Sequence, residues 1–192
     1  QTEVNAMGTM NIGKEFENNP ESVGKPMTGI EIKIFDMDDK ELPSGEVGEI
    51  VLRSKAVMAG YYKEKEKTSQ TLRGGWHHTG DLGKYDEDGY LYFVDRLKDM
   101  IKTGGENVAS ADVEATLFEH PKILEVAVIG LPDDTWGEAI TAYITLKPDA
   151  EAGEKEIITW AKQNMAAYKV PKKIIFMDDI PKNPSGKILK KE

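Results

Sequence analysis

The sequence predicts an α+β protein in two parts, a mostly antiparallel β part over residues 1–95 and a mixed α and β part over residues 96–192. Three observations carry that reading. Ile30, Ile32 and Ile34 alternate with Glu31 and Lys33, which is the two-residue period of a half-buried strand. Asp86-Glu87-Asp88-Gly89 joins two β-rich arms, and its Asp-Gly pair supplies the positive-φ position of a tight hairpin turn. Past Arg96 the period lengthens, with Ile157, Ala161 and Met165 recurring every four residues as on one face of a helix.

Taken in order, residues 1–23 are polar and aperiodic and read as loop. A strand follows around Ile30 to Ile34, then an acidic turn over Asp36 to Gly45, then a second strand over Glu49 to Arg53. Lys63 to Leu72 is charged and suits a short surface helix. Leu82 to Tyr85 and Tyr90 to Val94 are the hairpin arms. In the second part Ser110 stands where it can cap a helix with Asp112 and Glu114 near its positive end and Val113, Leu117 and Phe118 on one face. His120-Pro121 closes that helix. Glu125 to Ile129, Ile140 to Leu146 and Lys173 to Phe176 read as strands, Leu131-Pro132-Asp133 as a turn, and Glu154 to Met165 as a helix.

Composition narrows the function classes. The 192 residues include 25 Lys and Arg against 34 Asp and Glu, a net charge of −9 that argues against a nucleic-acid-binding module. With 39% hydrophobic residues the chain has the material for a core, and its apolar runs fall far short of the roughly 18 residues of a membrane-spanning helix. No cysteine is present, so disulfide, thiolate-metal and cysteine-nucleophile chemistry are excluded, and a reducing cytoplasm fits. The first residue is not Met, which points to a piece of a longer chain. Charge is uneven: residues 1–95 hold 11 basic and 18 acidic residues, whereas Lys169 to Lys191 holds seven Lys and two Asp.

Four short stretches carry residue types suited to phosphate and nucleotide chemistry, and each is weak alone, with an ordinary loop, turn or connector as the competing reading. Thr2-Glu3 sets a hydroxyl beside a carboxylate, for a phosphate oxygen and Mg²⁺ respectively. Within Trp76-His77-His78-Thr79-Gly80-Asp81, a carboxylate beside a glycine turn can accept from both hydroxyls of a ribose. His77 and His78 are adjacent on a strand and point to opposite faces, which disfavours a shared metal. Asp95 to Asn107 combines alternating charges with Gly104-Gly105, whose bare backbone allows close approach of a ligand. Asn183-Pro184-Ser185-Gly186-Lys187 is a turn that projects one hydrated point charge.

In their order and spacing the four resemble motifs of the adenylate-forming superfamily of acyl-CoA synthetases, luciferases and peptide-synthetase adenylation domains. Thr2-Glu3 looks like the end of its aromatic-Gly-x-Thr-Glu motif, Thr79-Gly80-Asp81 like its Thr-Gly-Asp motif, Asp95 to Glu114 like its hinge motif, and Asn183 to Lys187 like its C-terminal lysine motif. The resemblance runs from Gln1 to Glu192. It implies that residues 1–95 are the end of a large N-terminal domain, a motif loop plus a β subdomain shaped as a distorted barrel. Residues 96–192 would be a small mobile C-terminal domain, hinged at Arg96 to Lys98.

The resemblance also implies chemistry. A carboxylic acid attacks the α-phosphate of ATP to give acyl-adenylate and pyrophosphate, and the thiol of CoA then displaces AMP. Thr2 would contact the AMP phosphate, Glu3 would hold Mg²⁺, and Asp81 would grip the ribose with help from Arg96. Lys187 would be catalytic, bridging the carboxylate and the α-phosphate. Lys98 would be the hinge, and Lys102, Gly104, Gly105 and Asn107 would face CoA, with Trp136-Gly137-Glu138 structural or on the same face. Ile101 to Asn107 looks closer to fatty or aryl acid:CoA ligases than to peptide-synthetase domains. A fatty acid is the leading substrate. An aryl acid, a carrier protein as acceptor, and a non-catalytic nucleotide-binding module are the alternatives. The acid pocket and phosphate loop would precede Gln1, so the missing N-terminal part is the expected partner and the isolated chain is expected to be inactive.

Overall fold

The computed structural model describes residues 1–5 and 8–190, so Lys191 of the basic tail lies outside the described residues. The chain divides into two compact units, Gln1–Leu97 and Lys98–Glu192.

The first unit opens with a 3₁₀ turn, Thr2–Val4, followed by β1 (Thr9–Met10), a short helix α1 (Lys14–Asn18) and β2 (Lys25–Pro26), which pairs with β1. Its main sheet holds β3 (Ile30–Phe35), β4 (Gly48–Ser54), β5 (Leu72–Arg73), β6 (Trp76–Tyr85) and β7 (Leu91–Arg96), with α2 (Lys65–Thr71) before β5. The order is β3-β4-β6-β5, and β7 pairs with the same long β6. All pairings are antiparallel. The alternation of β3 works as its pattern requires, since Ile32, Ile34, Ile50, Leu52 and Leu91 bury into one cluster with Val4. Among the described residues the sheet is open, and no pairing returns β5 or β7 to β3 to close a barrel.

The second unit begins with the 3₁₀ turn Leu97–Asp99, in which the division between the units falls. It continues with β8 (Ile101–Thr103), β9 (Glu106–Val108), α3 (Ser110–Phe118), β10 (Ile123–Asp133), β11 (Gly137–Leu146), α4 (Glu154–Asn164) and β12 (Lys173–Phe176). The sheet runs β10-β11-β8-β9, and β12 joins β11 in parallel. Ile101, Val113, Leu117, Ile123, Ile140, Ile144 and Ile157 are all at most 1% exposed and form one core between the sheet and the two helices. The Nε1–H of Trp160 on α4 donates to Thr116 O on α3 at 3.2 Å, and its ring meets His120 edge-on. No helix among the described residues is long and apolar enough to cross a membrane.

Four local expectations are corrected. Residues 1–23 are not all loop, because Lys14–Asn18 forms a helical turn without burying a residue. Ser110 does not cap α3: Ala109 is the N-cap, and the Ser110 hydroxyl is buried and accepts a hydrogen bond from Lys190 instead. Phe118 follows the core residue Leu117 on α3 and turns about 100° away from it, leaving it 61% exposed. Leu131-Pro132-Asp133 is strand rather than turn, because the ladder with β11 runs on to Asp133 opposite Gly137. The reversal lies between those two residues, with Asp133 Oδ1 accepting from the N–H groups of Thr135 and Trp136.

These burials set a contrast that urea denaturation of the chain can check. Ile144→Ala removes a fully enclosed side chain and should cost about 2–5 kcal/mol. Phe118→Ser should stay within about 0.5 kcal/mol of the parent.

Candidate functional site

In the first unit, the site residues are organised by a break in the sheet. On one edge of β6, Glu49 of β4 stands opposite Leu82 and Val51 opposite His78, so Thr79 to Asp81 have only Ile50 across from them. On the other edge, Trp76 and His77 pair with β5 and Asp81 onward with β7, which leaves His78, Thr79 and Gly80 between the two ladders. Side chains take over the missing bonds. The Thr79 hydroxyl donates to Ile50 O at 2.6 Å and accepts from the Asp81 N–H at 3.0 Å. Glu49 accepts the Gly80 N–H at 3.0 Å, and its other oxygen meets His78 Nδ1 at 2.8 Å and Arg73 at 3.5 Å. Gly80 sits at φ +69°, a conformation that side-chain-bearing residues avoid.

The break presents Asp81 at the surface directly across from Arg96, with 3.8 Å between Arg96 Nε and Asp81 Oδ1. Gln1 reaches the same carboxylate, donating through Nε2 to Asp81 Oδ2 at 2.6 Å while its Oε1 lies 3.0 Å from His77 Nε2. A carboxylate only accepts, so the Gln1 nitrogen faces Asp81, and the matching His77 tautomer carries its proton on Nε2. Glu3 lies one turn of chain away, accepting from the Tyr61 hydroxyl at 3.1 Å, and Thr2 is exposed beside it. The Glu3 carboxyl is held below the usual carboxylate range, chiefly by a hydrogen bond from its own backbone and then by Tyr61, against the opposing effect of burial. Burial, followed by Glu3 itself, raises the Tyr61 hydroxyl, so the pair keeps the proton on tyrosine and the charge on glutamate.

One ionised and partly exposed carboxylate suits Mg²⁺, which is commonly held by one or two carboxylates together with substrate phosphates and water. No group of three or more acidic or histidine side chains able to hold a metal occurs among the described residues. Glu3 therefore fits a cation shared with a phosphate substrate better than one caged by protein.

In the second unit the hinge motif passes from a 3₁₀ turn into a hairpin. Lys98 is exposed in the 3₁₀ turn at the unit division. Gly104 and Gly105, at φ +58° and +86°, make the two-residue link between β8 and β9, and both signs are those of a type I′ turn. Lys102 and Asn107 face each other across that hairpin and are exposed. The turn is tied to the Trp136 segment: Gly104 N–H donates to Trp136 O at 2.8 Å, and a Cβ on Gly104 would lie 3.1 Å from the indole. The Lys102 N–H donates to Glu138 at 2.6 Å, and Lys172 lies over the face of Trp136.

Asn183 to Lys187 forms a separate tight turn. Asn183 Oδ1 accepts from Ser185 N, Ser185 Oγ and Lys187 N at 3.1, 2.8 and 2.9 Å, Gly186 supplies φ +81°, and Lys182 bridges to Ile188 across the base. Lys187 is exposed, and among the described residues its ammonium has neither a hydrogen bond nor an ion pair, unlike Lys182 and Lys190 on either side of it.

The AMP-binding enzyme family model matches residues 1–62, and the model of the AMP-binding enzyme C-terminal domain matches residues 112–187. The chain belongs to the adenylate-forming, AMP-binding enzyme family. Family relatives include a fatty acid–[acyl-carrier-protein] ligase, ScoC, of Streptomyces coeruleorubidus, 41% identical over 90% of this chain and 33% of that protein. Another is the 2-succinylbenzoate–CoA ligase of Geobacillus kaustophilus, 43% identical over 89% of this chain and 35% of that protein. Among solved structures of the family, o-succinylbenzoate CoA synthetase (MenE) from Bacillus subtilis in complex with its acyl-adenylate intermediate superposes with a TM-score of 0.93, at 34% identity over 100% of this chain and 39% of that chain. The chain thus spans about a third of the length of the curated relatives it matches.

Gln1, Glu49, Tyr61 and His77 join the site without having been singled out from the sequence for it. Gln1 lies inside the family motif, so adjacency was an available signal. Tyr61 and Glu49 are 58 and 31 residues from Glu3 and Gly80, and only folding brings them close.

Burial is the first cause lowering the pKa of both His77 and His120 from 6.5. The unfolded chain therefore takes up protons on them before the folded one does, and their contribution to stability is lost as pH falls below about 6.5. The melting temperature should be lower at pH 5.5 than at pH 7.5, and His120→Phe should flatten that dependence.

Proposed function

We propose that the chain supplies the ribose-binding and lysine-bearing parts of an AMP-forming acid–thiol ligase. The observation that carries this reading is Lys187: an unpaired ammonium on a braced turn, between the paired Lys182 and Lys190, in a chain of the adenylate-forming family. The first half-reaction joins a carboxylate oxygen of the acid to the α-phosphorus of ATP and expels pyrophosphate. The second joins the sulfur of CoA to the acyl carbon and expels AMP.

Within that scheme Asp81 accepts hydrogen bonds from the ribose hydroxyls, Arg96 supports it from the next strand, and Thr2 bonds the AMP phosphate. Glu3 holds Mg²⁺, which when bound offsets phosphate charge. Lys187 sits between the acid carboxylate and the α-phosphate and stabilises the charge that builds there, with no proton transfer required of it. Lys98, at the division between the units, is the pivot that exchanges Lys187 for the Gly104-Gly105 hairpin between half-reactions. That hairpin, with Lys102 and Asn107, faces CoA.

A fatty acid is the first candidate substrate, in line with the name of ScoC, and an aryl acid the second, in line with the 2-succinylbenzoate ligase. ScoC also favours a second reading of the acceptor, a carrier protein in place of CoA. Assaying the full-length enzyme with CoA and with a holo-carrier protein separates the two, and a panel of acids settles the substrate.

Lys187→Ala in the full-length enzyme should lower ATP–pyrophosphate exchange by at least a hundredfold while sparing thioester formation from supplied acyl-adenylate. The isolated chain should show no exchange, and measurable exchange by it would refute the proposed division of labour.

A further inference from the structure

We propose that Lys190 is a positioning residue that clamps the Lys187 turn to the body of its unit, so that the free ammonium is delivered from a fixed base. This rests on the reading of Lys187 as the adenylation lysine. Lys190 Nζ lies 2.7 Å from Glu114 Oε1 and donates to Ser110 Oγ at 2.7 Å, both on α3. The anchor is rigid on the receiving side. Glu114 Oε1 also accepts the Val128 N–H of β10 at 2.7 Å, so helix, strand and tail converge on one carboxylate, and Ser110 is completely buried. The two charged side chains are 20% and 23% exposed, drier than an open surface pair and less screened by solvent.

The clamp is short enough to matter. Lys190 is three residues after Lys187, a reach of about 10 Å at full extension. On the other leg Lys182 pairs with Glu125 of β10 at 2.7 Å, five residues before Lys187. Between these two tethers the Asn183 carboxamide oxygen accepts three hydrogen bonds and stiffens the turn. Of Lys182, Lys187 and Lys190, two hold the scaffold and one is left to work. A cation that must meet developing charge in one place gains from such a base, since misplacement by about 1 Å can cost up to a hundredfold in rate.

The test uses the full-length enzyme and measures the two half-reactions separately. Lys190→Met should lower ATP–pyrophosphate exchange by about ten- to a hundredfold and leave thioester formation from supplied acyl-adenylate within about twofold of the parent. Glu114→Gln keeps an acceptor for Val128 N–H and removes the charge facing Lys190, so it should shift the same half-reaction in the same direction, by a smaller factor. Equal losses in both half-reactions would reduce Lys190 to a stability role and overturn the proposal. So would parental exchange rates in both variants alongside a dead Lys187→Ala enzyme, an outcome that leaves the adenylation reading standing. Normal exchange in Lys187→Ala would instead bring down that reading, and the clamp with it.

Discussion

A backbone N–H or C=O taken out of water must find a partner, and at several places where the strand ladders leave such a group without one, a side chain provides it. Glu49 receives Gly80 N–H, Thr79 gives to Ile50 O, Glu138 receives Lys102 N–H and Glu114 receives Val128 N–H. Leaving such a group unmet costs about 1–3 kcal/mol, so each substitute fixes the geometry of its interruption as firmly as a ladder bond would. Three of the candidate site residues stand beside these bonds. Asp81 follows Gly80, Lys102 belongs to the hairpin held by Glu138, and Lys187 is tied through its tail to Glu114.

The same economy explains why acidic residues outnumber basic ones in a chain whose family handles phosphate. Several carboxylates are committed to internal work: Glu49 to Gly80 and His78, Asp95 to Arg96 N–H, Asp133 to the β10–β11 reversal, Asp112 to Lys169. Charge that looks repulsive to a nucleotide on paper is spent on amides and on neighbouring cations. What remains outward near Asp81 is a mixed cluster in which Arg96 offsets the carboxylate.

Much of the fold was legible because it is written locally. The alternation in β3, the Asp-Gly turn before β7 and the four-residue spacing in α4 each need only a dozen residues to be read. The four motif segments were likewise legible by residue type and order. What escaped depends on distance along the chain. Ser110 has the right chemistry for a helix cap, yet Lys190, 80 residues later, claims its hydroxyl. Phe118 matches the apolar pattern of α3 and still faces water, because the sheet covers only the side of the helix that carries Val113 and Leu117. The Glu49 contact to Gly80 is a product of pairing register, and the Tyr61 contact to Glu3 joins a turn and a loop 58 residues apart, neither of which a short window contains.

The three-against-one bulge of β6 across from Ile50 has a bearing on how such a chain can diverge. Side chains of a strand alternate between faces, so losing or gaining a single residue in β4 would carry Glu49 to the opposite side of the sheet. Gly80 would then lose its acceptor although neither Thr79, Gly80 nor Asp81 had changed. The number of residues in β4 between Glu49 and the bulge therefore matters to Gly80 as much as the identity of Glu49 does.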